Sequence, residues 1–210
     1  MLWIEDVQRN DPHPVHDAPC HPSGARYVLV TDAAKSGWGA LLLDMATGIL
    51  YTRHGVWNRS WKGREFSSWS EPEAVARALV YFFPSGTDES IAILSDSTTA
   101  VGAFAKGRSM RFEVNRSLQR VQTHFPHFNA TMHHIPGREN TFADAMSRQK
   151  RLDNTDFLQK ATAHVHRLVM GFPQEGGPYN CENECNDKDF GKYLCHIETP
   201  SNAAPNVRVM

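Results

Sequence analysis

Four acidic residues sit on short segments of the kind that deliver a carboxylate to a shared site: Asp32 in YVLVTDAAKSGWGALLLD, Glu71 in SSWSEPEAVARAL, Asp96 in IAILSDSTTAV and Asp144 in NTFADAMSR. Packed carboxylates repel one another until cations neutralise them. Mg²⁺ is a hard cation that prefers carboxylate oxygen and keeps several waters. Two such ions about 4 Å apart hold the attacking water and the leaving oxygen of an in-line phosphoryl displacement. The set therefore points to a two-metal phosphodiesterase site. Taken singly, each acid has a plainer reading, since an Asp after a strand ordinarily serves a turn or caps a helix. The joint pattern carries the chemistry.

The elements that must position these acids follow from the hydrophobic pattern. Asp32 follows the apolar run 27–30 and precedes Gly37 and Gly39, so it is expected at the exit of a hairpin strand. Glu71 is expected to open a helix, with Pro72 at the first helical position and Ala74, Val75, Ala78 and Leu79 as its apolar stripe. Asp96 follows the apolar strand 91–94, and Ser97 and Thr98 stand where a helix N-cap is expected. Asp144 lies between the Pro136-Gly137 turn and a last helix. Strands over 27–32, 39–44, 48–54, 90–95 and 129–135 are interleaved with helices over 71–82, 98–105, 112–124 and 141–149. That order predicts an α/β fold with a mixed five-stranded sheet flanked by helices. Within 112–124, Val114, Leu118, Val121 and Phe125 form one stripe and leave Arg111, Arg116 and Arg120 to other faces.

The order TDAAKSGWGA, then SSWSE running into ExxAxxxAL, then LSDSTTAV, then HHIPGRENTFADAMSR resembles the ribonuclease H domain of retroelement reverse transcriptases. It is most similar to the DIRS-like, tyrosine-recombinase retrotransposon type, with its T-D-A-S-x-x-G-W-G-A and I-P-G-x-x-N-x-x-A-D-x-x-S-R motifs. The resemblance covers residues 27–148. It is most specific in the final motif, where Pro136, Gly137, Asn140, Ala143, Asp144, Ser147 and Arg148 all fall in place. It implies a ribonuclease H-like fold, dependence on two Mg²⁺ ions with Mn²⁺ as a substitute, and endonucleolytic cleavage of the RNA strand of an RNA/DNA hybrid. Asp32, Glu71, Asp96 and Asp144 would be the catalytic, metal-binding acids. Glu73 competes with Glu71 for the second position; Glu71 is preferred because it alone gives the ExxAxxxAL spacing through Ala74, Ala78 and Leu79. In cellular ribonucleases H a histidine in the loop before the last Asp assists product release or proton transfer, and the spacing of His134 to Asp144 resembles theirs. HHIPG also reads as a strand end with His133 and His134 on opposite faces.

A hybrid-specific nuclease must recognise ribose, and the 2′-hydroxyl is the group that distinguishes RNA from DNA. Ser36, Ser97 and Thr98 are candidate donors, with Asn140 from the final motif. Arg108 and Arg111, with Lys106, Arg116 and Arg120, could track phosphates of the DNA strand, although the same charges also suit a solvated helix face. Trp38 reads as a packing residue, whereas Trp57, Trp61 and Trp69 fit core and substrate roles equally.

With 22 basic and 23 acidic side chains in 210 residues the net charge is −1, so no global basic field announces nucleic-acid binding and contacts must be local. No stretch approaches the roughly 18 apolar residues of a membrane span, and the start lacks a secretion signal. A soluble, intracellular protein is expected, without a membrane partner. The proline-rich residues 1–25 read as a linker, which the resemblance would connect to an upstream polymerase. Residues 26–150 would be the ribonuclease H-like domain, and 151–210 an amphipathic helix near 155–170 followed by a poorly ordered tail. Cys181, Cys185, Cys195 and His196 are zinc-ligand types, but their spacing lacks paired knuckles, and reduced thiols are the better account. His164 and His166, two apart on a helix, are expected on its surface. Two further classes stay open: a catalytically degenerate or domesticated binding module, and an integrase or transposase of the same superfamily. The latter usually ends on a Glu where this chain has Asp144.

Overall fold

The computed structural model describes residues 21–57, 66–126, 129–149 and 155–172. Strands β1 (Tyr27–Ala34) and β2 (Gly37–Asp44) form an antiparallel hairpin joined by Lys35 and Ser36, and β3 (Leu50–Val56) adds antiparallel to β2. On the other side of β1, strands β4 (Ile91–Ser95) and β5 (Ala130–His134) add in parallel, giving the order β3-β2-β1-β4-β5. Helix α1 (Phe66–Phe82) precedes β4, α2 (Thr98–Lys106) and α3 (Phe112–His124) lie between β4 and β5, and α4 (Thr141–Ser147) and α5 (Thr155–Met170) follow β5. This is the mixed five-stranded sheet flanked by helices that the sequence predicts.

Side chains alternate across the sheet, and both faces are buried. Val28 and Val30 pack with Leu41, Leu43, Ala92 and Leu94 beneath α4 and α5, whose Ala143, Met146, Ala161, Val165 and Leu168 fill that layer. Leu29, Leu42, Ile91 and Ile93 pack on the opposite face against Ala74, Ala78 and Leu79 of α1, Val121 of α3 and Phe125 just after it. Each fully buried Leu, Ile or Val contributes roughly 1.5–3 kcal/mol, so the two layers clamp β1 and β4 from both sides. β1, which carries Asp32, and β4, which leads into Asp96, are thereby held on both faces.

Several elements differ from expectation in instructive ways. β1 runs on through Asp32 to Ala34, and β2 begins at Gly37, so Asp32 pairs with Gly39 inside the ladder instead of ending a strand. β3 starts at Leu50, after Gly48 turns the chain at φ +67°. Helix α1 begins at Phe66, so Pro72 lies inside it and Glu71 is mid-helix. A proline there deprives the carbonyl four residues back of its donor. Burial of Ala74, Val75, Ala78 and Leu79, each fully enclosed, together with Trp69 packing on Trp57 at 5.5 Å, carries the helix through it. Trp38 is buried, and Trp57 is buried with Nε1 donating to the Ala34 carbonyl at 2.7 Å, so both are packing residues. Trp61 and the Cys181, Cys185, Cys195 and His196 group lie outside the described residues. No described helix is long and apolar enough to cross a membrane.

Candidate active site

Oxygens of Asp32, Glu71 and Asp96 lie within 4.8 Å of one another. Each arrives by a different route. Asp32 points from β1 toward α4, on the same side of the sheet as Val30. Asp96 is the first residue beyond β4, where Ser97 caps α2 by accepting from the Ala100 amide at 3.2 Å. Glu71 reaches in from α1 and accepts from the Ala33 amide at 3.2 Å. Asp144, in the first turn of α4, stands outside this trio and is gripped by Arg148 one turn on, Nε to Oδ1 at 2.7 Å.

Neutral donors pin Asp32. Ser147 donates its hydroxyl to Oδ2 at 2.5 Å, and the Asn140 amide donates to Oδ1 at 3.3 Å, to Asp96 Oδ1 at 3.2 Å and to the Thr31 carbonyl at 3.0 Å. Both donors belong to α4: Asn140 precedes it and Ser147 ends it. The helix also lies directly on Gly39, where a Cβ would come within 2.6 Å of the Ala143 carbonyl, Met146 Cβ and the Ser147 amide. Asn140, expected at the substrate, is only 1% exposed and acts here as a brace between carboxylates.

The electrostatics suit a site for cations. Burial pushes Asp32 up to about 6, with the Asp96 and Asp144 charges adding and the Ser147 hydrogen bond opposing. Burial pushes Glu71 up to about 9, and the Asp32 and Asp96 charges raise it further. Glu71 Oε2 is buried with no hydrogen-bond partner. An orphaned carboxylate oxygen among all-oxygen, hard donors is suited to a divalent metal such as Mg²⁺. Glu73 is in the opposite situation. Burial would raise it, but hydrogen bonds from Arg77 at 2.9 Å, Arg120 at 2.7 Å and Ser117 at 2.8 Å outweigh that and hold it below the ordinary range. Arg120 thus ties α3 to α1.

The remaining expected residues fall on the rim or elsewhere. His134 is exposed at the end of β5, in register with Ser95 and hence beside the start of the Asp96 segment. Ser36 is exposed in the β1–β2 turn and donates to the Ser147 carbonyl at 2.9 Å; Thr98 is exposed beside Ser97. Arg108 and Arg111 are exposed near the α2–α3 connection, and Arg111 donates to Ser68 Oγ at 2.7 Å on α1. His164 and His166 are half-buried in α5, not on its surface, and burial lowers both imidazoles. The bracing role of Ser147 is absent from the sequence reading. Its position three residues after Asp144, on the same helical face, was the available signal.

No protein-family model and no curated protein matches the chain. Among solved structures, ribonuclease H1 from the halophilic archaeon Halobacterium salinarum NRC-1 is similar at 17% identity and TM-score 0.47, over 60% of this chain and 98% of that one. The N-terminal ribonuclease H domain of a Mycobacterium tuberculosis protein, solved as a fusion with maltose-binding protein, is similar at 16% identity and TM-score 0.48, over 66% and 99%. The foamy viral protease-reverse transcriptase solved with an RNA/DNA hybrid is similar at 14% identity and TM-score 0.46, over 67% of this chain and 22% of that one. These likenesses are distant, and function has to be read from the acids themselves.

Proposed function

We propose that the chain is a metal-dependent endonuclease of the ribonuclease H type, cleaving the RNA strand of RNA/DNA hybrids alongside the polymerase of a retroelement reverse transcriptase. The observation that carries the reading is the convergence of Asp32, Glu71 and Asp96 within 4.8 Å, with Asp144 next to them. The sequence motifs around these same residues support it. Asp32, Glu71, Asp96 and Asp144 would hold two Mg²⁺ ions, with Mn²⁺ as a substitute. When bound, such ions supply charge neutralisation and an activated water for in-line displacement at phosphorus.

The chain's own groups do the positioning. Asn140 and Ser147 fix both oxygens of Asp32, and the Ala33 amide fixes Glu71, so these ligands are oriented before substrate arrives. Ser36, Ser97 and Thr98 would meet ribose hydroxyls, and exposed Arg108 and Arg111, with Lys106, would meet phosphates of the DNA strand. Exposed His134, in register with Ser95, would assist proton transfer or product release.

The test incubates the full chain with labelled RNA/DNA hybrid, duplex DNA and single-stranded RNA in Mg²⁺. Endonucleolytic cuts in the RNA strand of the hybrid are expected, with binding that weakens as salt rises. Asp96→Asn should abolish cutting while the protein stays folded. Cleavage that survives in Asp96→Asn overturns the site. Nicking or joining of duplex DNA with the hybrid left whole favours an integrase, and hybrid binding without any cutting favours a binding module.

A further inference from the structure

Helix α5 reaches the acid cluster through a single turn. Its Ala161, Val165, Leu168 and Val169 are buried in the layer beneath β1 and α4, which anchors the helix. From that anchored helix His164 Nε2 donates to the Glu139 carbonyl at 2.6 Å. Arg167 Nη2 donates to Glu139 Oε2 at 3.1 Å and to His164 Nδ1 at 2.8 Å. Burial lowers the imidazole and keeps it neutral, which leaves Nδ1 free to accept from Arg167. Beyond Asn140, the Phe142 ring packs on Phe157 and on His164, each at 5.1 Å. Helix α5 therefore grips the chain one residue before Asn140 and two residues after it.

Asn140 is the residue whose amide lies between Asp32 and Asp96. Its three hydrogen bonds, at 3.0–3.3 Å, draw two like-charged carboxylates to one donor, so a small shift of the turn lengthens them together. The same turn carries Gly137, where a Cβ would stand 3.1 Å from Asp96 Oδ2. We propose that His164 and Arg167 are positioning residues: acting through Glu139, they hold the Asn140 amide between Asp32 and Asp96 and make α5 part of the metal-binding unit. The proposal rests on the metal reading of the acid cluster given above. Groups that orient metal ligands typically change metal affinity by about 10–100-fold when removed. His164 and Arg167 act one residue further out, so a smaller effect, about threefold or more, is expected.

The test uses the full chain and reads Mn²⁺ binding by titration calorimetry, alongside thermal stability and the Mg²⁺ dependence of hybrid cleavage. The double variant His164→Ala with Arg167→Ala should bind Mn²⁺ about threefold more weakly or worse, and excess metal should restore most of its cleavage rate. Val165→Ala serves as comparator, because it removes core volume from the same helix without touching the polar contacts. It should lower the melting temperature while leaving Mn²⁺ affinity within about twofold, a smaller change than the about threefold loss expected of groups acting on a ligand brace. Unchanged affinity in the double variant, or equal weakening in Val165→Ala, overturns the proposal. If the double variant does not fold, Arg167→Ala alone, at an exposed position, gives the same reading. Glu71→Gln runs in parallel: wild-type Mn²⁺ affinity there would overturn the metal site itself, which separates that failure from a failure of the α5 coupling.

Discussion

Glu71 and Glu73 stand two positions apart on α1 and meet opposite fates: Glu71 is pushed up to about 9 among carboxylates, whereas Glu73 is held low by Arg77, Arg120 and Ser117. Residues two apart on a helix point about 200° apart, so one faces the acids and the other the α3 interface.

Glu71→Gln should therefore abolish Mg²⁺-dependent cleavage in a protein that stays folded. Glu73→Gln should keep its activity per folded molecule but lose stability. Breaking a buried ion pair costs about 3–5 kcal/mol, and partial exposure of Arg77 and Arg120 discounts this to roughly 1–3 kcal/mol. Denaturant unfolding and hybrid cleavage measured on both variants decide the matter; an inactive Glu73→Gln with an active Glu71→Gln would reverse the assignment.

The raised carboxyls give the metal-free protein an unusual pH profile. A carboxyl whose pKa is higher folded than unfolded binds more protons in the folded state across the window between the two values. Stability therefore falls as pH rises through it, from about 4.5 toward about 9 for Glu71 and from about 3.8 toward about 6 for Asp32. In EDTA the melting temperature should drop by at least about 3 °C between pH 5 and pH 9, the shift that ~1 kcal/mol produces in a chain of this size. Mg²⁺ should flatten the profile by binding only the folded state, and Glu71→Gln should flatten it without metal. A profile in EDTA that is already flat would mean the two carboxyls are not suppressed in the folded protein.

Much of this arrangement is legible in the residues. The Val114, Leu118, Val121 and Phe125 stripe predicts α3 with its observed bounds, and the apolar run before Asp96 predicts β4, because burial on one face or two leaves a periodic trace. The acids are legible for a different reason: each alone reads as an ordinary turn or cap residue, but the four together, each in its own motif, have no common structural use. What is not legible is contact between distant segments. Pro72 carries the sign of a helix start, yet the fold enforces six helical residues before it. The spacing from Asp144 puts Ser147 on the face of the site, but that it donates to Asp32, and that Asn140 is enclosed, depends on how closely α4 lies on β2. Residues 58–65, between β3 and α1, also lie outside the described part.

Arg148 neutralises Asp144 at a half-exposed edge of the site, with the arginine side chain 57% exposed. Ion pairs of that kind contribute about 0–1 kcal/mol, so the carboxylate is easily freed for a metal. Arg148→Ala should change stability by less than about 1 kcal/mol. Removing that cation also leaves the cluster more negative, so Mn²⁺ affinity should stay equal or increase. Weaker metal binding in Arg148→Ala would instead show that the arginine orients Asp144 toward the ion.

Gly39 faces Asp32 across the hairpin and forms the floor on which α4 rests. A Cβ there would come within 2.6 Å of two backbone atoms and one Cβ of α4, none of them the far end of a flexible side chain, so the helix itself must lift. Lifting α4 moves Asn140, Asp144 and Ser147 together, because one short helix carries all three. Overpacking of this kind typically costs about 1–3 kcal/mol, and a misplacement near 1 Å at a reacting site costs on the order of 10² in rate. Gly39→Ala should therefore lose both stability and at least about 10² in hybrid cleavage. Gly102 is the matched control: it lies inside α2, where nothing stands within 4 Å of an added Cβ. Gly102→Ala should stabilise the protein by roughly 0.5–1 kcal/mol, the ordinary gain for alanine in a helix interior, and leave cleavage unchanged. Wild-type cleavage in Gly39→Ala would mean that the seat of α4 does not set the geometry of the acids.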